Sequence, residues 1–355
     1  MVSTKKIALI GAGPIGIEMA IALKRASVDY SHFEAGTLAE TISNYPEDTT
    51  FFSSPGRIEI AGYAFDVYPN LKATKEQYLA YLRSIVRTEK LEIRYQSKVV
   101  ELEKLTSGLF DLCIRKQSGN SDYNIQAENL ILAIGDMHGP NLLDVSGEDL
   151  PHVTHQLKEL HTYFGLNVLV VGGKNSAIEA AIRLARIGAK VTLSYRGPEL
   201  ISKKIKPWIL PDFDSLVREG EIKFLPSSEV TSIETSAVKL KQNGKEIECK
   251  FERVLLLTGY LQDQDLFRQA DVKLVEKGRV GRKVLYQPEY EAESMQAAPG
   301  VFIIGTAVSG SSISKTTEFI ETSHVHIPRV LKKLGLPCLI PITDAPVRKE
   351  EDREL

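Results

Sequence analysis

A short apolar strand that runs into a glycine loop and then an apolar-periodic helix occurs twice in this chain, and nothing else restricts the fold as strongly. In the first copy "IALI" is followed by Gly11-Ala12-Gly13-Pro14-Ile15-Gly16 and the periodic stretch "IGIEMAIALKRA". The first glycine of such a loop permits a tight turn, and the second lets a pyrophosphate reach the backbone. The third lets helix and strand pack closely. The helix beyond supplies free N–H groups and the positive end of its dipole. Glu34, followed by Ala35, ends the next strand-like run, "YSHFEAG". A carboxylate there accepts ribose hydroxyls and suits an unphosphorylated adenosine, such as that of FAD or NAD.

The second copy begins 161 residues later and reads Gly172-Gly173-Lys174-Asn175-Ser176-Ala177 after "NVLVV". Ala177 replaces the third glycine. Lys174 stands where the second is usual; its side chain narrows the approach, while its ammonium can meet the phosphate. Arg196, in "VTLSYRG", falls where the first copy has Glu34. Arginine in place of an acid suits a 2′-phosphate, hence NADPH, and Lys203, Lys204 and Lys206 add positive charge nearby. Two loops of opposite ribose character imply two dinucleotides: FAD in the first domain, NADPH in the second, with hydride passing from nicotinamide to flavin.

Other apolar runs ending at glycine, "LILAIG" (130–135), "VLLLTG" (254–259) and "VFIIG" (301–305), suit strands buried on both faces of a parallel sheet. Helical periods alternate with them. "EQYLAYLRSIV" puts Tyr78, Leu79, Leu82, Ile85 and Val86 on one face, and 176–190 has the same period. The expected class is α/β, with two Rossmann-like doubly wound domains. Alternating segments such as "FDLCIRK" and "VKLKQNGKEIECK" predict a small antiparallel piece on each domain, the second turning at Asn243-Gly244. The polar "VRKEEDREL" at the C-terminus predicts a solvated tail.

A length of 355 residues fits about two domains. A net charge of −2 without a long basic stretch argues against nucleic acid as the main partner. No apolar run approaches the ~20 residues of a membrane span, and no signal peptide is evident, so a cytoplasmic protein is expected. The three cysteines, Cys113, Cys249 and Cys338, form no CxxC and read as structural thiols. His152, His155 and His161 precede the second loop, either as ordinary linker residues or as a proton donor near the flavin. His324 and His326 are spaced i, i+2 and predict no shared metal site. Trp208 is expected as a packing anchor at an interdomain face.

At this level the chain resembles the two-dinucleotide flavoproteins built like low-molecular-weight thioredoxin reductases, over roughly residues 5–335. Within that group it is most similar to the bacillithiol-disulfide (bacilliredoxin) reductase family. The segments that carry the likeness are "NYPEDTTFFSSPGRIEI" (44–60), "VVGGKNSAIEAA" (170–181), "YRGPELISKKIKPWILPDF" (195–213) and "TEFIETSHVH" (317–326). The resemblance implies an FAD domain from residues 1–145 and 285–355, with an NADPH domain, 146–284, inserted. It implies flavin contact for Asn44 and Tyr45, passage of Gly135 near FAD, and Gly305 and Thr306 beside the ribityl chain or pyrophosphate. Related reductases usually carry Asp at position 306. Lys315 and Glu318 would lie near the start of a helix aimed at the flavin, and a homodimer is implied.

Two departures bear on chemistry. Where thioredoxin reductases carry a redox CxxC, the stretch 151–165 here has no cysteine. Where the bacillithiol-type family has a cysteine in the first glycine loop, this chain has Ile15, which cannot form a mixed disulfide. The expectation is therefore an NADPH-dependent FAD oxidoreductase whose flavin reduces an unidentified acceptor directly, a small disulfide or a small redox protein. Three alternatives stay open: a ferredoxin or flavodoxin reductase, against which the lack of any aromatic after Phe319 counts; a redox sensor of low turnover; and a flavin monooxygenase.

Overall fold

The computed structural model describes residues 4–67, 72–117, 122–280, 283–310 and 318–342; Lys315 and the polar C-terminal stretch lie outside them. The chain divides into two compact units, one holding the residues up to Gly139 and those from Tyr260 onward, the other Pro140–Gly259.

In the first unit all the expected apolar runs are strands. A parallel sheet runs in the order Val301–Ile303, Tyr123–Leu132, Thr4–Ile10, Tyr30–Phe33, Ile93–Arg94, and Gln296–Ala298 adds an antiparallel edge. The chain order of the strands across the sheet reverses between Thr4–Ile10 and Tyr123–Leu132. In an open α/β sheet the crevice at the carboxyl ends beside such a reversal is where ligands bind. Gly11, Ala133 and Ile304 continue the ladders past the strand ends, donating to Phe33, Ile10 and Leu132 at 2.8, 2.8 and 3.0 Å. The turns that follow three strands are thus fixed beside one another. The helix Pro14–Arg25 is buried almost throughout, from Ile15 to Leu23. The helix Lys75–Thr88 buries Tyr78, Tyr81, Leu82 and Ile85, with Leu79 and Val86 partly buried on the same core. An antiparallel extension, Ser97–Lys104 with Phe110–Lys116, pairs onto the early part of Tyr123–Leu132.

The second unit repeats the plan in smaller form. Its sheet, Ile222–Leu225, Lys190–Ser194, Asn167–Val171, Arg253–Leu256 and Val153–Thr154, is parallel throughout. The chain order reverses beside Asn167–Val171. The helix Asn175–Arg186 buries Ala177, Ile178, Ala181, Ile182 and Leu184 against it. Ser228–Ile233, Val238–Gln242 and Lys245–Cys249 form the antiparallel piece. Its turn residues Asn243 and Gly244 both have positive φ, 48° and 83°, the geometry that makes Asn-Gly the favoured two-residue hairpin loop.

The structural division differs from the expected boundaries at 145 and 284. Leu143 and Val145 pack on a core of the second unit, while Phe267, Ala270 and Val272 belong to the core of the first. The hairpin Leu274–Val280 with Lys283–Pro288 goes with the first unit as well. Neither stretch carries a composition break, so burial alone decides the assignment. Among the described residues, no helix is long and apolar enough to cross a membrane.

Candidate functional site

The first glycine loop shows three different reasons for its three glycines. A Cβ on Gly11 would stand 2.3 Å from the Ala133 carbonyl oxygen, and φ is 104° there. A Cβ on Gly16 would stand 2.1 Å from the Gly11 carbonyl oxygen. Around Gly13, by contrast, nothing lies within 4 Å of where a Cβ would be. The protein's own packing therefore demands Gly11 and Gly16 but leaves space beside Gly13, the position at which a pyrophosphate needs room. Gly13 caps the helix with no side-chain hydrogen bond, Pro14 sits in the first turn, and the first turn holds no acid. The N–H groups at that end are left for an anion.

The second strand holds this loop in place. Glu34 is buried, and its two carboxylate oxygens accept from the N–H groups of Ala12 at 2.7 Å and Gly36 at 2.9 Å. Burial pushes its carboxyl up, and those N–H groups pull against that shift. A carboxylate offers about four lone-pair sites, so ribose hydroxyls can still be received. Ala35 continues the chain from it. His32, fully buried, shares a hydrogen bond with the Gly11 carbonyl at 2.9 Å through Nε2. Burial lowers its pKa to about 4, so the ring is neutral and Nε2 carries the donating proton.

Across the strand reversal, three further turns meet. Ile15 packs its side chain 3.4–3.7 Å from the point where Gly305 would carry a Cβ. His326 is buried, and its Nδ1 accepts from the Gly305 N–H at 3.0 Å; burial, helped by Arg329, lowers its pKa to about 4. Gln262 donates through Nε2 to the carbonyls of Gly135 (2.8 Å) and Ala307 (2.9 Å), tying those turns together. Thr306 meets Asp136, whose carboxyl is raised by burial and lowered by the Thr306 hydroxyl. Tyr45 packs on the core; burial, then the charge of Asp136, pushes its phenol up to about 12. Asn44 is exposed, its amide 3.5 Å from Glu40. His32, Asp136 and Gln262 carry no motif, and their contacts span up to 170 residues of chain; no local signal in the sequence marks them.

In the second unit a Cβ on Gly172 would meet the Leu257 carbonyl oxygen at 2.5 Å and Ala177 at 2.7 Å. Gly173 lies under the Tyr195 ring, 2.2 Å from a would-be Cβ. Lys174 caps the helix Asn175–Arg186, again with no side-chain cap and no acid in the first turn. Lys174, Ser176 and Arg196 are exposed. Asn175 turns inward and accepts from the Lys206 N–H at 2.8 Å, while Lys206 pairs with Glu179 at 3.1 Å. Trp208 keeps half its surface exposed, and the Lys206 ammonium lies 5.9 Å from the centre of its ring, within reach of a cation–π contact.

The histidines near the C-terminus separate: His324 bonds Glu18 at 2.8 Å, both fully buried, while His326 serves Gly305. Cys113 and Cys249 lie on antiparallel strands, and Cys338 is exposed past the last helix.

A fold with two such sheets, each with a glycine loop at its reversal, is that of a flavoprotein oxidoreductase with a pyridine-nucleotide cofactor. The chain belongs to the pyridine nucleotide-disulphide oxidoreductase family, whose model matches residues 8–305. It is an oxidoreductase of that family, and it has the fold of the thioredoxin reductases. The bacilliredoxin reductase Bdr of Bacillus subtilis (strain 168) is 36% identical over 325 residues, 91% of this chain and 95% of that protein. The solved bacillithiol disulfide reductase Bdr (YpdA) of Bacillus cereus has a TM-score of 0.85 at 32% identity, covering 94% of this chain and 99% of the other. A ferredoxin–NADP reductase of Ignicoccus hospitalis is 30% identical over 53% of this chain and 55% of its own length.

Proposed function

We propose that this enzyme takes a hydride from NADPH onto FAD and delivers the electrons straight to a small external acceptor, with no protein thiol between. The observation that carries this reading is Ile15: a buried hydrocarbon packed on Gly305 fills the loop position at which a thiol would stand beside the cofactor. FAD supplies the two-electron chemistry; the protein supplies binding and electrostatics. In the first unit, Gly11, Gly13, Pro14, Ile15 and Gly16 with the helix end hold the pyrophosphate, Glu34 and Ala35 the adenosine ribose, and Asn44, Tyr45, Gly135, Gly305 and Thr306 the remainder. In the second, Gly172, Gly173, Lys174, Asn175, Ser176 and Ala177 receive the NADPH pyrophosphate, with Arg196 on the 2′-phosphate. Glu34 against Arg196 sorts the two dinucleotides by charge. A domain division into FAD-binding and NADPH-binding halves, and a homodimer, are part of the same reading.

The relatives' names point to a low-molecular-weight disulfide as the acceptor. The Ignicoccus hospitalis relative supports a second reading, a ferredoxin or flavodoxin. Stopped-flow reoxidation of NADPH-reduced protein, without oxygen, against disulfides, ferredoxin, flavodoxin and quinones separates them. A variant with Cys113, Cys249 and Cys338 all changed to Ser keeps the full rate with the true acceptor. Loss of that rate in the correctly folded, flavin-loaded variant refutes direct delivery.

A further inference from the structure

Asp136 comes four residues after the strand Tyr123–Leu132, beside the reversal point and near the turn that Gly11 begins. The Thr306 hydroxyl, from the turn after Val301–Ile303, bonds to its carboxyl. That same hydroxyl oxygen lies 3.8 Å from where Gly135 would carry a Cβ. The Tyr45 phenol, from a third stretch of chain, stands close enough to feel the Asp136 charge, and it feels that of Tyr260 as well. Acid, hydroxyl and phenol therefore gather at the carboxyl ends of neighbouring parallel strands. All three are only partly buried, so the group opens outward and is not sealed in the core.

The glycine loop lies between this cluster and Glu34. Glu34 follows the strand on one side of Thr4–Ile10, while Asp136 and Thr306 follow strands on the other. A dinucleotide whose pyrophosphate rests on Gly13 sends its adenosine ribose toward Glu34. Its other arm leaves toward Asp136. In FAD that arm is a ribityl chain, a row of hydroxyl donors. A carboxylate has several acceptor sites and Thr306 occupies one of them. Hydrogen bonds to an ionised acceptor are about twice as strong as neutral ones.

We propose that Asp136 is the acceptor for ribityl hydroxyls of FAD, with Thr306 setting its orientation. The inference deepens the FAD reading of the first unit and rests on it. Its test is equilibrium binding to flavin-free full-length protein, followed by flavin fluorescence, with three probes: FAD, an FAD analogue lacking the ribityl hydroxyls, and ADP in competition.

Asp136→Ala is expected to weaken FAD about tenfold or more, the scale of a lost charged hydrogen bond. Its affinities for the analogue and for ADP stay within about twofold of the wild type. Asp136→Asn, which keeps an uncharged acceptor and the same volume, falls between, and it serves as the variant if Asp136→Ala does not fold. Unchanged FAD affinity in both variants overturns the assignment. So does an equal loss for all three probes, which would mean a collapsed loop. Wild-type protein that binds ADP but not FAD would overturn the FAD reading itself and this assignment with it.

Discussion

Gly13 and Gly16 stand three residues apart, and a methyl group does opposite things at the two. At Gly16 it meets a backbone carbonyl at 2.1 Å, and Gly16→Ala should destabilise the apoprotein by about 2–3 kcal/mol, the scale of a forced overpacking. At Gly13 it meets open space with φ at −75°, so Gly13→Ala should leave apoprotein stability within about 0.5 kcal/mol while weakening FAD at least tenfold. Urea unfolding and FAD titration on the two variants separate the roles. Titration at single residues gives a second expectation. His32 and His326 have folded pKa values of about 4, below an unfolded value near 6.5. The unfolded chain binds more protons between those values, so stability is complete above about pH 6.5 and falls as pH drops toward 4, by on the order of 3 kcal/mol for each ring. Protonating the folded His326 at Nδ1 removes the acceptor of the Gly305 N–H, so FAD should be released only as pH falls to about 4. His324 acts with the opposite sign: burial works against its charged form, but the hydrogen bond to Glu18 and the charge there outweigh this and raise its pKa, so its contribution is present at low pH and lost as pH rises through the folded value. A urea midpoint at pH 7 and pH 5 checks the sum, and His32→Gln should flatten the acid slope.

At the scale of elements, much was legible because the signals are local. Asn243-Gly244 between alternating runs could only be a tight hairpin. The helix Lys75–Thr88 begins with a capping box: Thr74 accepts from the Gln77 N–H at 3.2 Å and the Gln77 side chain from the Thr74 N–H at 2.8 Å. Thr74→Ala should cost about 1 kcal/mol, visible as a lower unfolding midpoint with no change in FAD affinity. The same helix shows where local reading stops. Its periodicity picks out Tyr78, Leu79, Leu82, Ile85 and Val86, yet Tyr81 is also buried. Its hydroxyl donates to the Tyr63 carbonyl at 2.7 Å and accepts from the Ile60 N–H at 2.9 Å. A loop more than 15 residues upstream lets a tyrosine lie inside, and the period of a helix carries no record of that loop.

For the whole molecule, the two units have separate hydrophobic cores, and each holds one proposed dinucleotide. A ligand stabilises what it binds in proportion to RT ln(1 + [L]/Kd). Calorimetry should therefore show FAD raising the transition of the first unit and NADP+ that of the second, and a single transition moved equally by both would contradict the division. The amino-acid sequence by itself determined the α/β class, both glycine loops, the charge contrast of Glu34 and Arg196, and the lack of a thiol at position 15. Each of these lies within some 20 residues of chain and follows from backbone sterics and local charge. Only the tertiary structure decided that residues 260–280 join the first unit, that Gln262 ties Gly135 to Ala307, that His326 holds Gly305, and that Asp136 meets Thr306. Those partners are far apart along the chain and come together only where parallel strands end side by side, and no local pattern encodes which strand ends will be neighbours.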